Sequence, residues 1–437
     1  MRKIIFTLTA LLCMISLLSG CSVQILAPED TIRAPGATGF YAGVQQALEE
    51  AVGSDIILKY PLVDGIRTAF CTRDFDNCGE IEILAFYQKK AEGSVTRINV
   101  LTQVDDKWQS IQDVDPLGNE LLEVSFADLD ADGSDEIVAG WQVYTSKANQ
   151  LCLYKMENKA LVQRAGETYS AYTICDIDGN GQKEIAVSLL DAEAKSASLT
   201  FYNFTNNQFT IFSHLMLDGN VSSYASMTTA NLNATTEAVY IDAYKSADTM
   251  ITELVYFQNG GLFNPFAESE TRENQKTFRR LPLPSRDVNN DGYIEIPFMY
   301  GLSGYEDAGD SEKQYLTDWS YFDGKSYHTA FSAWYCREQG YYLVFDNNWS
   351  NGVTVIYDAK EGTAVFCEWD SANTRAGEEI VRITPFKATD FLASPPEDYV
   401  KLAETSDKVF AAKLGKGQSA LSITVEQLRQ NFKFITE

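Results

Sequence analysis

Short apolar runs of strand length recur along the chain, and several open directly out of a polar loop rich in Asp and Asn. Ile137-Val-Ala, Ile185-Ala-Val and Ile296-Pro-Phe each follow such a loop. Further along each unit lie runs rich in β-branched and aromatic residues: Arg97-Ile-Asn-Val-Leu, Leu151-Cys-Leu-Tyr, Leu199-Thr-Phe-Tyr, Leu254-Val-Tyr-Phe and Trp319-Ser-Tyr-Phe. Each is followed by a tight polar turn: Asp105-Asp-Lys, Glu157-Asn-Lys, Thr205-Asn-Asn, Gln258-Asn-Gly-Gly or Asp323-Gly-Lys. Runs of this length bounded by Asn, Asp and Gly predict β-hairpins. One unit reads as strand, acidic loop, strand and hairpin, or four strands in about 50 residues.

The unit repeats. Its loop is Asp128-Leu-Asp130-Ala-Asp132-Gly133-Ser134-Asp-Glu136, then Asp176-Ile-Asp178-Gly-Asn180-Gly181-Gln182-Lys-Glu184, then Asp287-Val-Asn289-Asn-Asp291-Gly292-Tyr293-Ile-Glu295. A fourth copy, Asp74-Phe-Asp76-Asn-Cys78-Gly79-Glu-Ile-Glu82, has a cysteine in place of one oxygen donor. A fifth, around Asn231, Asn233 and Glu237, is shortened and nearly stripped of donors. The matching glutamates lie 54, 48, 53 and 58 residues apart. A strand-based period of this size implies a repeat architecture. Four-stranded antiparallel units in series predict a mainly β chain, a β-propeller with five blades visible at about 66–116, 120–166, 168–214, 221–268 and 278–332, and room for more if flanking segments contribute.

The loop chemistry points to calcium. Ca²⁺ takes six to eight oxygens at roughly 2.3–2.6 Å. Positions 1, 3 and 5 supply Asp128, Asp130 and Asp132; Asp176, Asp178 and Asn180; and Asp287, Asn289 and Asp291. Glycine at position 6 permits the sharp turn. The backbone carbonyl at position 7 (Ser134, Gln182, Tyr293) adds an oxygen, and Glu136, Glu184 or Glu295 closes the shell. An EF-hand would need a bidentate Glu at position 12. That position holds Ala139, Val187 and Phe298, so the EF-hand reading fails.

The flanks differ from the repeats. Residues 1–21 read as a signal: Arg2-Lys3, an apolar stretch, then Leu18-Ser19-Gly20-Cys21. That end resembles the bacterial lipoprotein box, which implies a lipid on Cys21, membrane attachment and an extracytoplasmic location. Residues 22–38 read as a tether, and 39–337 as the propeller preceded by a short helix over 41–52. Residues 338–437 predict a small α+β C-terminal module, with strands near 341–345, 353–357, 364–369, 380–386 and 409–414 and a final helix over 425–432 capped by Thr424.

The net charge is −26, becoming −28 once Arg2 and Lys3 are removed. Such a surface argues against nucleic acid as a partner. Six cysteines lie beyond Cys21, and an oxidising compartment would permit the local pairs 71–78, 152–175 and 336–367 among many connectivities.

The repeat resembles the FG-GAP/VCBS-repeat propellers of bacterial lipoproteins, on Phe126-Ala-Asp-Leu-Asp-Ala-Asp-Gly-Ser-Asp-Glu-Ile and its copies, over roughly residues 66–332. The resemblance implies structural calcium in the loops. It implies no substrate.

The two histidines, His214 and His328, fall on hairpin strands, and no nucleophile elbow or phosphate-cradling loop is present. The expectation is therefore no enzyme, but a non-catalytic binding or scaffold protein that meets a protein or glycan at the cell envelope. The alternative is a carbohydrate-active or other hydrolytic enzyme with a carboxylate site in the propeller channel. Trp141, Tyr144, Tyr300 and Tyr305 are candidates for a ligand platform, and the 301–314 insertion for a contact loop.

Overall fold

A computed structural model describes residues 39–63, 65–309, 312–349, 352–417 and 420–435. The signal, the tether and Cys21 lie outside these. The chain is mainly β, with six antiparallel sheets among the described residues. It divides into two compact units: residues up to 74 together with 78–116, and residues 75–77 together with 117 onward.

The first unit opens with helix α1 (Phe40–Val52), one residue longer than the predicted span. Val44, Ala47 and Leu48 recur at helical spacing and form its buried stripe. Gly53, at φ +94°, ends the helix by donating its N–H to Glu49 O at 2.9 Å. The stripe packs on Phe70, Ile83, Ala85, Tyr87 and Leu101. These belong to sheet one, made of β1 (Ile56–Leu58), β2 (Phe70–Arg73), β3 (Glu82–Lys89), β4 (Thr96–Val104) and β5 (Lys107–Val114).

In the second unit three sheets are plain four-stranded meanders. Sheet two holds β6 (Glu120–Ala127), β7 (Glu136–Gln142), β8 (Asn149–Glu157) and β9 (Ala160–Tyr169). Sheet three holds β10 (Ala171–Cys175), β11 (Glu184–Asp191), β12 (Ser196–Thr205) and β13 (Gln208–Leu217). Sheet four holds β14 (Ser223–Asn233), β15 (Thr236–Ser246), β16 (Thr249–Gln258) and β17 (Gly261–Phe263). The hairpin turns have the left-handed backbone that two-residue loops favour: φ is +51° and +62° at Asn158 and Lys159, and +53° and +61° at Asn206 and Asn207.

Sheet five departs from the repeat. Its strands are β18 (Ile296–Gly301), β19 (Tyr315–Phe322), β20 (Tyr327–Cys336) and β21 (Tyr341–Val344). The strand expected before the Asp287 loop is reduced to one bridge, Arg286 to Glu295. Sheet six contains β22 (Val353–Asp358), β23 (Thr363–Asp370), β24 (Arg375–Lys387), β25 (Val400–Glu404) and β26 (Lys408–Leu414). Helix α2 (Ala388–Ala393) lies between β24 and β25. Helix α3 (Val425–Asn431) starts at a capping box, in which Gln427 N donates to Thr424 Oγ1 at 3.2 Å and Thr424 N to Gln427 Oε1 at 2.9 Å. The chain then returns as β27 (Phe432–Phe434), which pairs with β21 in sheet five.

Successive sheets of this unit share cores. Leu129, Val138 and Leu151 meet Tyr172, Ile185 and Phe204 between sheets two and three. Phe201 and Leu199 meet Val239 and Val255 between three and four, and Leu232 and Tyr240 meet Ile296 and Phe322 between four and five. Trp334 and Tyr341 meet Phe366 and Phe410 between five and six. Middle strands such as β7, β15 and β16 are buried on both faces over most of their length, so they can pack against neighbouring layers on either side.

The six cysteines of the described residues are free thiols, five of them buried. The local pairs entertained from spacing do not form. Cys152 and Cys175 sit in two different sheet cores.

Candidate metal centres

Four of the loops share one backbone. Position 4 is left-handed in each, with φ +53° at Asn77, +59° at Ala131, +75° at Gly179 and +60° at Asn290. Position 6 is always glycine, with φ +88° to +90° at Gly79, Gly133, Gly181 and Gly292. That conformation is costly for residues with a Cβ, which is why glycine recurs there.

The first aspartate holds the turn together. Asp128 accepts from Asp132 N at 3.2 Å and Gly133 N at 3.0 Å. Asp176 accepts from Asn180 N and Gly181 N at 3.0 and 2.8 Å, and Asp287 from Asp291 N and Gly292 N at 3.2 and 2.9 Å. Asp74 makes the same pair with Cys78 N and Gly79 N. These N–H donors hold the exposed Asp287 carboxyl below its ordinary range.

The closing glutamate is buried in the four full-length loops and half-buried, as Glu237, in the shortened one. Glu136, Glu184 and Glu295 are 0 % exposed. Each accepts the N–H of position 2: Leu129 at 2.8 Å, Ile177 at 3.1 Å and Val288 at 3.0 Å. The second oxygen of Glu295, Oε1, is buried and meets no hydrogen-bond donor. Burial raises the Glu184 carboxyl to about 7, and the neighbouring Asp178 and Asp176 add to the effect.

Oxygens of Asp128, Asp130 and Glu136 converge within 4.8 Å of one another, as do those of Asp176, Asp178 and Glu184. These two triads have the donor type and spacing that a hard cation needs. In the third loop Asn289 Nδ2 donates to Asp291 Oδ2 at 2.9 Å, and Asp291 Oδ1 accepts from Tyr293 N at 2.9 Å. Position 7 differs in its partners. Ser134 N donates to Asp132 and Gln182 N to Asn180, while Gln182 Nε2 reaches Leu129 O of the preceding loop at 3.0 Å. The shortened fifth loop keeps Glu237, which accepts the N–H of Asp176 at 3.0 Å.

One set of residues escaped the sequence reading: those facing the closing glutamate on the next strand. Lys155 on β8 faces Glu136, with Nζ 2.5 Å from Asp130 Oδ2, 2.7 Å from Asp132 Oδ2 and 3.1 Å from Glu136 Oε1. Asn203 on β12 donates Nδ2 to Glu184 Oε1 at 3.0 Å. Tyr321 on β19 occupies the corresponding place beside Glu295, stacked between Tyr293 at 4.6 Å and His328 at 4.7 Å. A signal existed: Lys155 and Asn203 each follow their glutamate by 19 residues.

The other candidates separate. Trp141 is fully buried and Tyr305 packs against the core shared by sheets five and six, so neither is a platform; Tyr144 and Tyr300 remain exposed. The beginning of the 301–314 insertion is docked. Tyr305 Oη donates to Val355 O at 2.6 Å, Thr354 Oγ1 donates to Ser303 O at 2.7 Å, and Gly304 lies against Trp369. His328 bonds Asp323 at 2.8 Å, which, with the N–H groups of Ser326 and Lys325, holds that carboxyl at about 2.

A different carboxyl is set apart by its surroundings. Glu123 on β6 is partly exposed, and burial raises it to about 7, against an opposing contact from the Tyr169 hydroxyl. That hydroxyl lies over Gly140, where a Cβ would stand 2.0 Å from it. Tyr172 borders the same place, bonded to Ser125 Oγ at 3.1 Å.

No family model matches the chain, and no curated protein does. Solved structures do. Rhamnogalacturonan lyase YesW matches with a TM-score of 0.31 at 10% identity, over 82% of this chain and 91% of that one. A Bacillus licheniformis rhamnogalacturonan lyase matches at 0.32 and 12%, over 84% and 92%. The exo-β-1,3-galactanase 1,3Gal43A of Clostridium thermocellum matches at 0.27 and 12%, over 83% and 81%. All three are carbohydrate-active enzymes. The expectations of a non-catalytic binding or scaffold protein and of no enzyme are corrected accordingly. Missing histidines and nucleophile motifs are weak grounds for those expectations, since paired carboxylates can cleave glycosidic bonds without either. At these TM-scores no residue of those enzymes is placed on this chain.

Proposed function

We propose that the chain is a calcium-binding β-propeller of the FG-GAP/VCBS kind, with the ion held in the Asp176 and Asp287 loops. The observation that carries the metal reading is the Asp176, Asp178 and Glu184 triad, closed by a carboxylate wholly withdrawn from water. Burial among other carboxylates favours a proton or a neighbouring cation on such a group, beyond what its two hydrogen-bond donors supply. Glu295 Oε1, buried without a donor, makes the same demand in the Asp287 loop. Four-stranded meanders that stack in succession support the propeller reading. The test is thermal unfolding in EDTA and in millimolar calcium. An ion bound only by the folded state stabilises it by about 2.7 kcal/mol at 100 times Kd, and an unchanged midpoint rejects the reading.

A second reading, carbohydrate-directed catalysis, is favoured by Glu123. A carboxyl near 7 is about half protonated at neutral pH, which suits a general acid to a glycosidic oxygen. The test is release of new chain ends from a polysaccharide panel that includes rhamnogalacturonan and β-1,3-galactan, with Glu123→Gln alongside. Equal release by both proteins removes Glu123 from the chemistry.

The location proposed is the outer face of a bacterial membrane, held by a lipid on Cys21. Among the described residues no helix is long and apolar enough to cross a membrane. Cys21→Ala should leave the protein unanchored in a membrane fractionation, and retention in the membrane fraction would reject the anchor.

A further inference from the structure

We propose that Lys155 is an internal counter-ion standing where a divalent cation would sit in the Asp128 loop, so that this loop takes no metal. This rests on the calcium reading of the Asp176 and Asp287 loops and divides the repeats within it. The residue facing the closing glutamate decides which repeats are loaded.

The geometry is that of a filled site. The Lys155 ammonium lies within 2.5–3.1 Å of oxygens from three carboxylates, those of Asp130, Asp132 and Glu136. The ammonium donates hydrogen bonds to Asp130 and Asp132 and makes an ion pair with Glu136, so its charge is matched by three carboxylates at once. Its side chain is 11% exposed. Carboxylates that a calcium ion would draw to roughly 2.3–2.6 Å are therefore already committed. An ion entering beside the ammonium would meet a like charge at close range in a half-buried place, where screening by water is weak. Access is not the obstacle, because the loop opens onto a cleft lined by Asp130, Asp132, Glu157, Asn206 and Asn207.

The Asp176 and Asp287 loops lack this device. Asn203 now points Nδ2 at Glu184, but a carboxamide turned over offers an oxygen to the same point. Tyr321 brings an aromatic ring and no cation. The loop with the most carboxylates is thus the one that carries its own cation, while those with fewer are left for an external one.

The experiment counts calcium ions per full chain by calorimetric titration in four proteins. Asp130→Asn should leave the wild-type count unchanged. Lys155→Gln should gain one ion, and Lys155→Gln with Asp130→Asn should lose it again. A wild-type ion lost on Asp130→Asn, or no gain on Lys155→Gln, overturns the proposal. Should Lys155→Gln fold only with calcium, a calcium-dependent rise in its melting temperature larger than that of the wild type gives the same support, and an equal rise overturns it. Asp178→Asn reads the underlying assignment separately: an unchanged count there rejects calcium in the Asp176 loop, whatever Lys155 does.

Discussion

Arg279 donates to Asp242 Oδ1 across 2.9 Å in the interior of sheet four, with neither side chain more than 2% exposed. Asp242 also accepts from Thr252 Oγ1 at 2.6 Å and from Ser285 N at 2.8 Å. Arg279 also donates from Nε to Leu283 O and from Nη1 to Thr277 O. The pair pins the strandless segment between β17 and β18 to the edge of the sheet. Removing one partner leaves a buried charge unmatched, which costs about 3–5 kcal/mol. Arg279→Leu should therefore lower the urea midpoint sharply, and adding Asp242→Asn should restore part of the loss. Equal midpoints for wild type and Arg279→Leu would refute this account.

The Asp176 loop should bind calcium more tightly as pH rises. Glu184 sits at about 7, so below that pH an arriving ion must expel a proton. Affinity should then fall about tenfold for each unit below 7 and level off above it. Calorimetry in buffers of different ionisation enthalpy would register the released proton. Glu184→Gln should weaken binding and flatten the dependence.

Glu123 should leave its mark on stability. Its folded-state value of about 7 lies above the ordinary 4.5, so the fold favours the protonated form. That contribution is fully present below 4.5 and is lost as pH rises through 7. Between about pH 5 and pH 8 the wild type should lose stability relative to Glu123→Gln. Parallel denaturation curves for the two proteins across that range would contradict the assignment.

The turn between β4 and β5 offers a gain. Asp105 and Asp106 have φ of +51° and +60°, a conformation that a Cβ resists. Asp106→Gly should stabilise the protein by up to about 1 kcal/mol, read as a higher thermal midpoint.

The strands and turns were legible because they are local. A turn such as Thr205-Asn-Asn needs only its own residues to demand left-handed backbone, and the stripe of Val44, Ala47 and Leu48 needs only helical spacing. Glycine at position 6 was readable for the same reason. Lys155 was not, because its meaning depends on which strand it faces, and on the sheet register that brings it opposite Glu136. The Asp242 and Arg279 pair escaped similarly, joining residues 37 apart through a segment with no periodicity. Glu123 showed nothing in sequence, since its environment is built by Tyr169 from the far side of its own sheet. The expectation of no enzyme rested on a count of histidines, and such a count does not report the surroundings that set a carboxylate's role.

The pairing of β27 with β21 bears on how the protein is made. Sheets two, three and four are each drawn from one uninterrupted stretch, so a ribosome delivers every strand of a sheet before starting the next. Sheet five must wait for residues 432–434 to emerge. Until then β21 presents a free edge, able to pair with a strand of another nascent chain. The interval between translation of residue 344 and residue 432 is therefore the period of greatest exposure to misassembly, and slow translation across it would lengthen the exposure.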